Sequence, residues 1–123
     1  MLLNRDAIFN LLRANGQNPR YVEGSTTLIE TNSAGIFYIL EYNGKGRVGW
    51  GISDKIVNDL KPYSKSSILF INVPAGEMFI ILDPKGNPFA SLSEQKGIYK
   101  IDRHNVDQYA ISYENLDDYI SSL

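Results

Sequence analysis

The sequence predicts a mixed α/β fold in a single domain, and three observations carry that expectation. Apolar residues recur at helical spacing near both ends and once in the middle, as Ile8-Leu11-Leu12, Ile56-Val57-Leu60 and Leu116-Tyr119-Ile120-Leu123. Between these stripes stand short runs rich in β-branched and aromatic residues, chief among them Ile36-Phe37-Tyr38-Ile39-Leu40 and Ile68-Leu69-Phe70-Ile71. Glycine, proline and asparagine punctuate the runs, most strongly at Asn43-Gly44.

Size and composition suit such a domain. A chain of 123 residues is expected to bury roughly two thirds of its unfolded surface, enough for a real core without staples. Hydrophobic residues make up 43% and charged residues 21%, which argues against disorder. The absence of cysteine removes disulfides, thiolate zinc sites and a cysteine nucleophile, and points to a reducing, cytoplasmic setting. No apolar run reaches the roughly 18 residues that cross a bilayer, and Met1-Leu2-Leu3-Asn4-Arg5-Asp6 does not read as a signal peptide.

Element by element, Asn4 is a good N-cap for a helix running to about Asn15, stopped by Gly16 with Pro19 just beyond. Residues 26–31 read as a first strand and 36–42 as a second. Asn43-Gly44-Lys45-Gly46 is expected to close a hairpin onto a short third strand, 47–50. Ser53 caps a second helix that Pro62 ends, with Ile52 placed to staple onto Val57. The unbroken apolar run in 67–73 predicts a central strand covered on both faces. Pro74-Ala75-Gly76 turns the chain into a further strand, 78–82, and residues 83–88 are dense in turn formers. Residues 97–101 and 108–111 read as later strands, and Ser112 caps a terminal helix.

Several chemistries lack their residues. The single histidine, His104, rules out a histidine-rich metal site and reads as a structural or surface residue. Neither GxxxxGK[ST] nor GxGxxG is present, so Gly44-Lys45-Gly46 and Gly49-Trp50-Gly51 read as a turn and a strand edge, with Trp50 a packing residue. The eight tyrosines do not sort onto one strand face as a base-stacking platform would, and are expected in packing.

Charge is uneven although the net charge is only −2, a balance that disfavours strong nonspecific nucleic-acid binding. Between residues 44 and 65, Lys45, Arg47, Lys55, Lys61 and Lys65 outnumber Asp54 and Asp59. Between 102 and 123, five acids stand against Arg103 alone. Arg47, Lys55, Lys61 and Lys65 are therefore the candidate nucleic-acid contacts, and Asp117 and Asp118, facing outward, the candidate contacts to a basic protein partner.

The most informative acids are Glu30, ending the first strand, and Glu41, near the end of the second. If the hairpin register brings them together, two hard oxygen ligands on adjacent strands suit Mg²⁺, with Lys45 nearest in sequence to activate a water. The order helix, strand, strand, strand, helix, strand, carried by Ile29-Glu30-Thr31, Phe37-Tyr38-Ile39-Leu40-Glu41-Tyr42-Asn43, residues 53–60 and residues 68–73, resembles the core of the PD-(D/E)XK, restriction-endonuclease-like superfamily. The resemblance is in particular to its small archaeal Holliday-junction-resolvase-like members. The resemblance implies that Glu30 and Glu41 hold the metal and that Asn43 occupies the family's lysine position. It also departs from the pattern, because no Pro-Asp precedes the first acid and Asn43 carries no charge. A second literal match, Asp83-Pro84 with Glu94-Gln95-Lys96, falls in a polar stretch.

Two functions follow as expectations. One is a non-enzymatic or degenerate nuclease-like interaction module, an accessory, immunity or inhibitor protein needing no cofactor. The other is a Mg²⁺-dependent nuclease acting on DNA. No membrane partner is expected, and an exposed edge strand offers a route to a homodimer.

Overall fold

In the computed structural model the chain is described over residues 2–44, 46–82, the backbone of 94–95, and 97–123, so that Met1, Lys45, 83–93 and Lys96 lie outside it. Helix α1 (Arg5–Ala14) starts where Asn4, in extended backbone, accepts the Ala7 N–H on its side-chain oxygen at 2.9 Å. Asp6 in the first turn and Arg13 in the last complement the helix dipole, and Gly16 at φ 73° releases the chain.

Three antiparallel strands follow: β1 (Arg20–Tyr21), β2 (Leu28–Glu30) and β3 (Ile36–Tyr42), with Arg20 opposite Glu30 and Glu30 opposite Ile36. Strand β4 (Gly49–Ser53) leaves this sheet and leads into α2 (Asp54–Leu60), whose cap is the Ser53 hydroxyl accepting the Ile56 N–H. The chain returns as β5 (Ser66–Asn72), parallel to β3, and turns back as β6 (Glu77–Leu82). The larger sheet therefore runs β1-β2-β3-β5-β6. A smaller sheet, in the order β4-β8-β7, is completed by β7 (Glu94–Gln95) and β8 (Ile98–Asp102). Short α3 (Arg103–Val106), a 3₁₀ turn at Asp107–Tyr109, and α4 (Tyr113–Ser122) complete the described elements.

Alternation along the strands builds two cores, one on each face of the larger sheet. Phe37, Ile39, Leu69, Ile71, Met78 and Ile80 pack against Ile8, Leu11 and Leu12 of α1 and Leu116 and Ile120 of α4. Tyr38, Ile68, Phe70, Phe79 and Ile81 face Trp50 and Ile52 of β4, Tyr99 and Ile101 of β8, and Val57 and Leu60 of α2. Helices cover one face, and the small sheet with α2 and α3 covers the other. Each fully buried Ile, Leu or Phe contributes about 1.5–3 kcal/mol.

Most elements agree with the sequence, and the exceptions have physical reasons. Strand β5 is buried at every residue and central, as its apolar run predicts. The hairpin expected at Asn43–Gly46 does not form, because β4 pairs with β8. Trp50 and Ile52 bury themselves only by lying over the face of the larger sheet, where Trp50 Nε1 donates to the Ile71 carbonyl at 3.3 Å. The third strand of the larger sheet is instead β1, two residues long and without a periodic signal. Residues 108–111, which read as a strand, instead finish the 3₁₀ turn and supply a single bridge, Phe79 to Ala110. Helix α3 arises from a capping box in which Asp102 accepts the Asn105 N–H at 2.9 Å and the Asn105 side-chain oxygen accepts the Asp102 N–H. Among the described residues no helix is long and apolar enough to cross a membrane.

Candidate functional site

The two strand acids diverge. Glu30 stands opposite Ile36 and shares the sheet face of Leu28 and Ile36, whereas Glu41 shares the opposite face with Phe37 and Ile39. Glu41 also lies five steps along β3 from Ile36, the residue opposite Glu30, roughly 17 Å of extended strand. The pair therefore cannot share a metal ion, which corrects the ligand set expected from sequence.

Each acid has a structural partner instead. Glu41 Oε2 accepts the backbone N–H of Arg5, the first residue of α1, at 3.0 Å, and its other oxygen lies 3.4 Å from the Arg5 guanidinium. It thus satisfies one of the helix's unpaired N–H groups and places negative charge at the positive end of the dipole. Glu30 lies 3.7 Å from Arg20 across the β1–β2 pair. Asn43 is exposed, and Lys45 lies outside the described residues, as do Asp83, Pro84 and Lys96. Among the described residues no three His, Asp or Glu side chains gather as an ion cage.

Arg47 and Lys65 stand at opposite ends of the larger sheet. Arg47 lies beyond the end of β3 and meets Asp102 at 3.3 Å, while Lys65 precedes β5 at the end where β3 begins. Those ends are roughly 20 Å apart along the strands. Lys65 Nζ donates to the main-chain oxygens of Ser33 and Leu123, Lys55 pairs with Asp59 one turn on at 2.9 Å, and Lys61 is exposed at the end of α2. The acidic pair divides too. Asp118 is exposed, but Asp117 is partly buried and accepts a hydrogen bond from the Asn15 amide at 2.9 Å, tying α4 to the end of α1.

Among the described residues, the outer face of the small sheet is left open. In the pairing of β4 with β8, Gly49 opposes Asp102, Gly51 opposes Lys100 and Ser53 opposes Ile98. These positions alternate with the buried Trp50, Ile52, Tyr99 and Ile101, so they face away from the core. An open groove of about 560 Å³ lies over them, bounded by Arg47, Val48, Ile98, Lys100 and Asp102 and floored by the two glycines. Ile98 remains 45% exposed beside it. The sequence carried a signal for this surface in Gly49-Trp50-Gly51-Ile52, where small and large residues alternate with strand period, but not its pairing with Lys100.

Beyond this groove the end of the sheet is neutralised. The Arg103 fork reaches both Glu77 oxygens, at 2.6–3.1 Å, and the Asn72 amide donates to Glu77 at 3.2 Å. Hydrogen bonding to Arg103 holds the Glu77 carboxyl below its ordinary range, against a smaller opposing effect of burial. The folded group binds its proton more weakly than the unfolded one. Its contribution to stability is therefore present above the ordinary carboxylate range and is lost as pH falls through the lowered folded value. Arg103→Gln is expected to raise the Glu77 titration midpoint towards the ordinary range, as read by NMR of the side-chain carboxyl. An unmoved midpoint would show that Arg103 is not its cause.

Comparison with protein-family models, with curated proteins and with solved structures returned no match to this chain.

Proposed function

We propose that the chain is a non-enzymatic interaction module on a degenerate nuclease-like core, and that the groove over β4 and β8 is its binding face. The observation that carries this reading is the divergence of Glu30 and Glu41, with Glu41 engaged at the start of α1. A degenerate core is supported by the run α1, β1, β2, β3, β4, α2 and β5, in which β2 and β3 pair antiparallel and β5 returns parallel to β3, although β4 leaves that sheet. Binding rather than catalysis is supported by a groove whose lining combines the bare backbone of two glycines, apolar residues that include Val48 and Ile98, and separated charges. The cysteine-free composition supports a cytoplasmic setting.

The nuclease alternative is tested directly. Mg²⁺ or Mn²⁺ at millimolar concentration is expected to leave the amides around Glu30 and Glu41 unshifted in NMR spectra, and linear and branched DNA intact. Cleavage that disappears in Glu41→Gln would overturn the proposal in favour of a metal-dependent nuclease. Glu41→Gln is expected to act on stability instead, costing about 1 kcal/mol through the lost ion pair and helix-end charge, as measured by urea unfolding.

A further inference from the structure

The character of the groove narrows what it receives, and this step rests on the binding-module reading above. Gly49 and Gly51 are alternate residues of one strand, roughly 7 Å apart, and both outward positions lack a side chain. In sheets such positions are commonly covered by an aromatic side chain from a neighbouring strand. Among the described residues a Cβ at Gly51 would meet only the Ile98 Cγ2 methyl, at 3.3 Å, and a Cβ at Gly49 only the Ile101 carbonyl oxygen. A strip of bare peptide the size of one ring is left beside Ile98.

Charge around the strip is unbalanced. Arg47 is 87% exposed and shares Asp102 through one contact at 3.3 Å, an exposed pair that a competing carboxylate readily diverts. Lys100 has no ion partner among the described residues and stands opposite Gly51. Single-stranded nucleic acid is the weaker candidate for this cationic strip, because base binding relies on protein aromatic rings for stacking. No described outward residue of β4 or β8 is aromatic, and Trp50 is turned into the core.

We infer that the outer face of β4 and β8 receives an acidic protein segment, seating one aromatic side chain on Gly49 and Gly51 beside Ile98 and its carboxylates against Arg47 and Lys100. Such an arrangement matches the common anatomy of an interface, with an aromatic anchor on a dry centre and ion pairs at the rim.

Three probes test this with the isotope-labelled full chain: the acetylated peptide Asp-Glu-Tyr-Asp-Glu, its tyrosine-to-alanine analogue, and a single-stranded oligothymidylate. The tyrosine peptide is expected to shift the amides of Gly49, Gly51 and Lys100, and the alanine analogue to bind about tenfold more weakly. Lys100→Glu is expected to abolish the shifts. Gly51→Leu should do the same while keeping the remaining spectrum, since its Cβ displaces only a methyl at the end of Ile98. Equal binding of the two peptides, or preference for oligothymidylate at the same residues, overturns the acidic-aromatic segment and leaves the groove reading standing. No shift at these residues from any probe at millimolar concentration overturns both.

Discussion

Gly35→Ala is expected to destabilise the chain by about 2–5 kcal/mol, from a left-handed backbone and a steric clash together. Gly35 sits at φ 84° in the turn between β2 and β3. A Cβ there would stand 2.6 Å from Lys65 Cβ and 2.8 Å from its carbonyl carbon, with the carbonyl oxygen closer still. That oxygen also accepts the Ile36 N–H at 3.1 Å, and the Gly35 carbonyl accepts from the Thr31 hydroxyl at 2.6 Å. Neither neighbour can withdraw without unpicking the start of the β3–β5 pairing. Gly24→Ala is the control: its φ is 77°, but nothing lies within 4 Å of the added carbon. It should cost only the conformational part, about 1–2 kcal/mol. Urea midpoints at constant m-value measure both. If the two variants are equally stable, the close approach at Lys65 is not what limits Gly35.

Phe70→Ala is expected to cost about 3–5 kcal/mol, a large share of the 5–15 kcal/mol that holds a domain of this size together. Phe70 is fully buried on β5 and packs against Trp50 at a ring-centroid distance of 5.3 Å. It lies where the small sheet rests on the larger one, so its removal opens a cavity that the surrounding strands cannot collapse to fill. Leu82→Ala, on a residue 51% exposed at the end of β6, should change stability by less than about 0.5 kcal/mol. Loss of the near-ultraviolet signal of Trp50 in Phe70→Ala is expected to accompany the drop in midpoint. A cost no greater than that of Leu82→Ala would mean that the two sheets do not depend on each other at this contact.

The glycines of β4 show how far function was legible. Gly49-Trp50-Gly51 reads as a strand edge with Trp50 in packing, and Trp50 is indeed buried, but the strand runs over Gly49–Ser53 rather than ending at Trp50. Which strand lay beside it was not legible. Lys100 is distant in sequence, and its register with Gly51 depends on Tyr99 and Ile101 entering the same core as Trp50 and Ile52. The candidate acids failed for the same reason. Their spacing permitted a meeting, but a hairpin in which Glu30 opposes Ile36 sends Glu41 to the other face and the other end. Asp117 looked outward by sequence and is instead held by Asn15, which only the crossing of α4 over α1 brings near.

The sequence by itself determined local structure: Asn4, Ser53 and Ser112 as caps, the helical stripes of α1, α2 and α4, and β5 as a strand covered on both faces. These follow from interactions within a few residues, where capping geometry and hydrophobic period act directly. Only the tertiary structure decided that β4 leaves the larger sheet, that Glu41 serves α1, and that two glycines and Lys100 share one open surface. Those outcomes depend on which of several apolar faces bury each other, and that choice is made by the whole core at once.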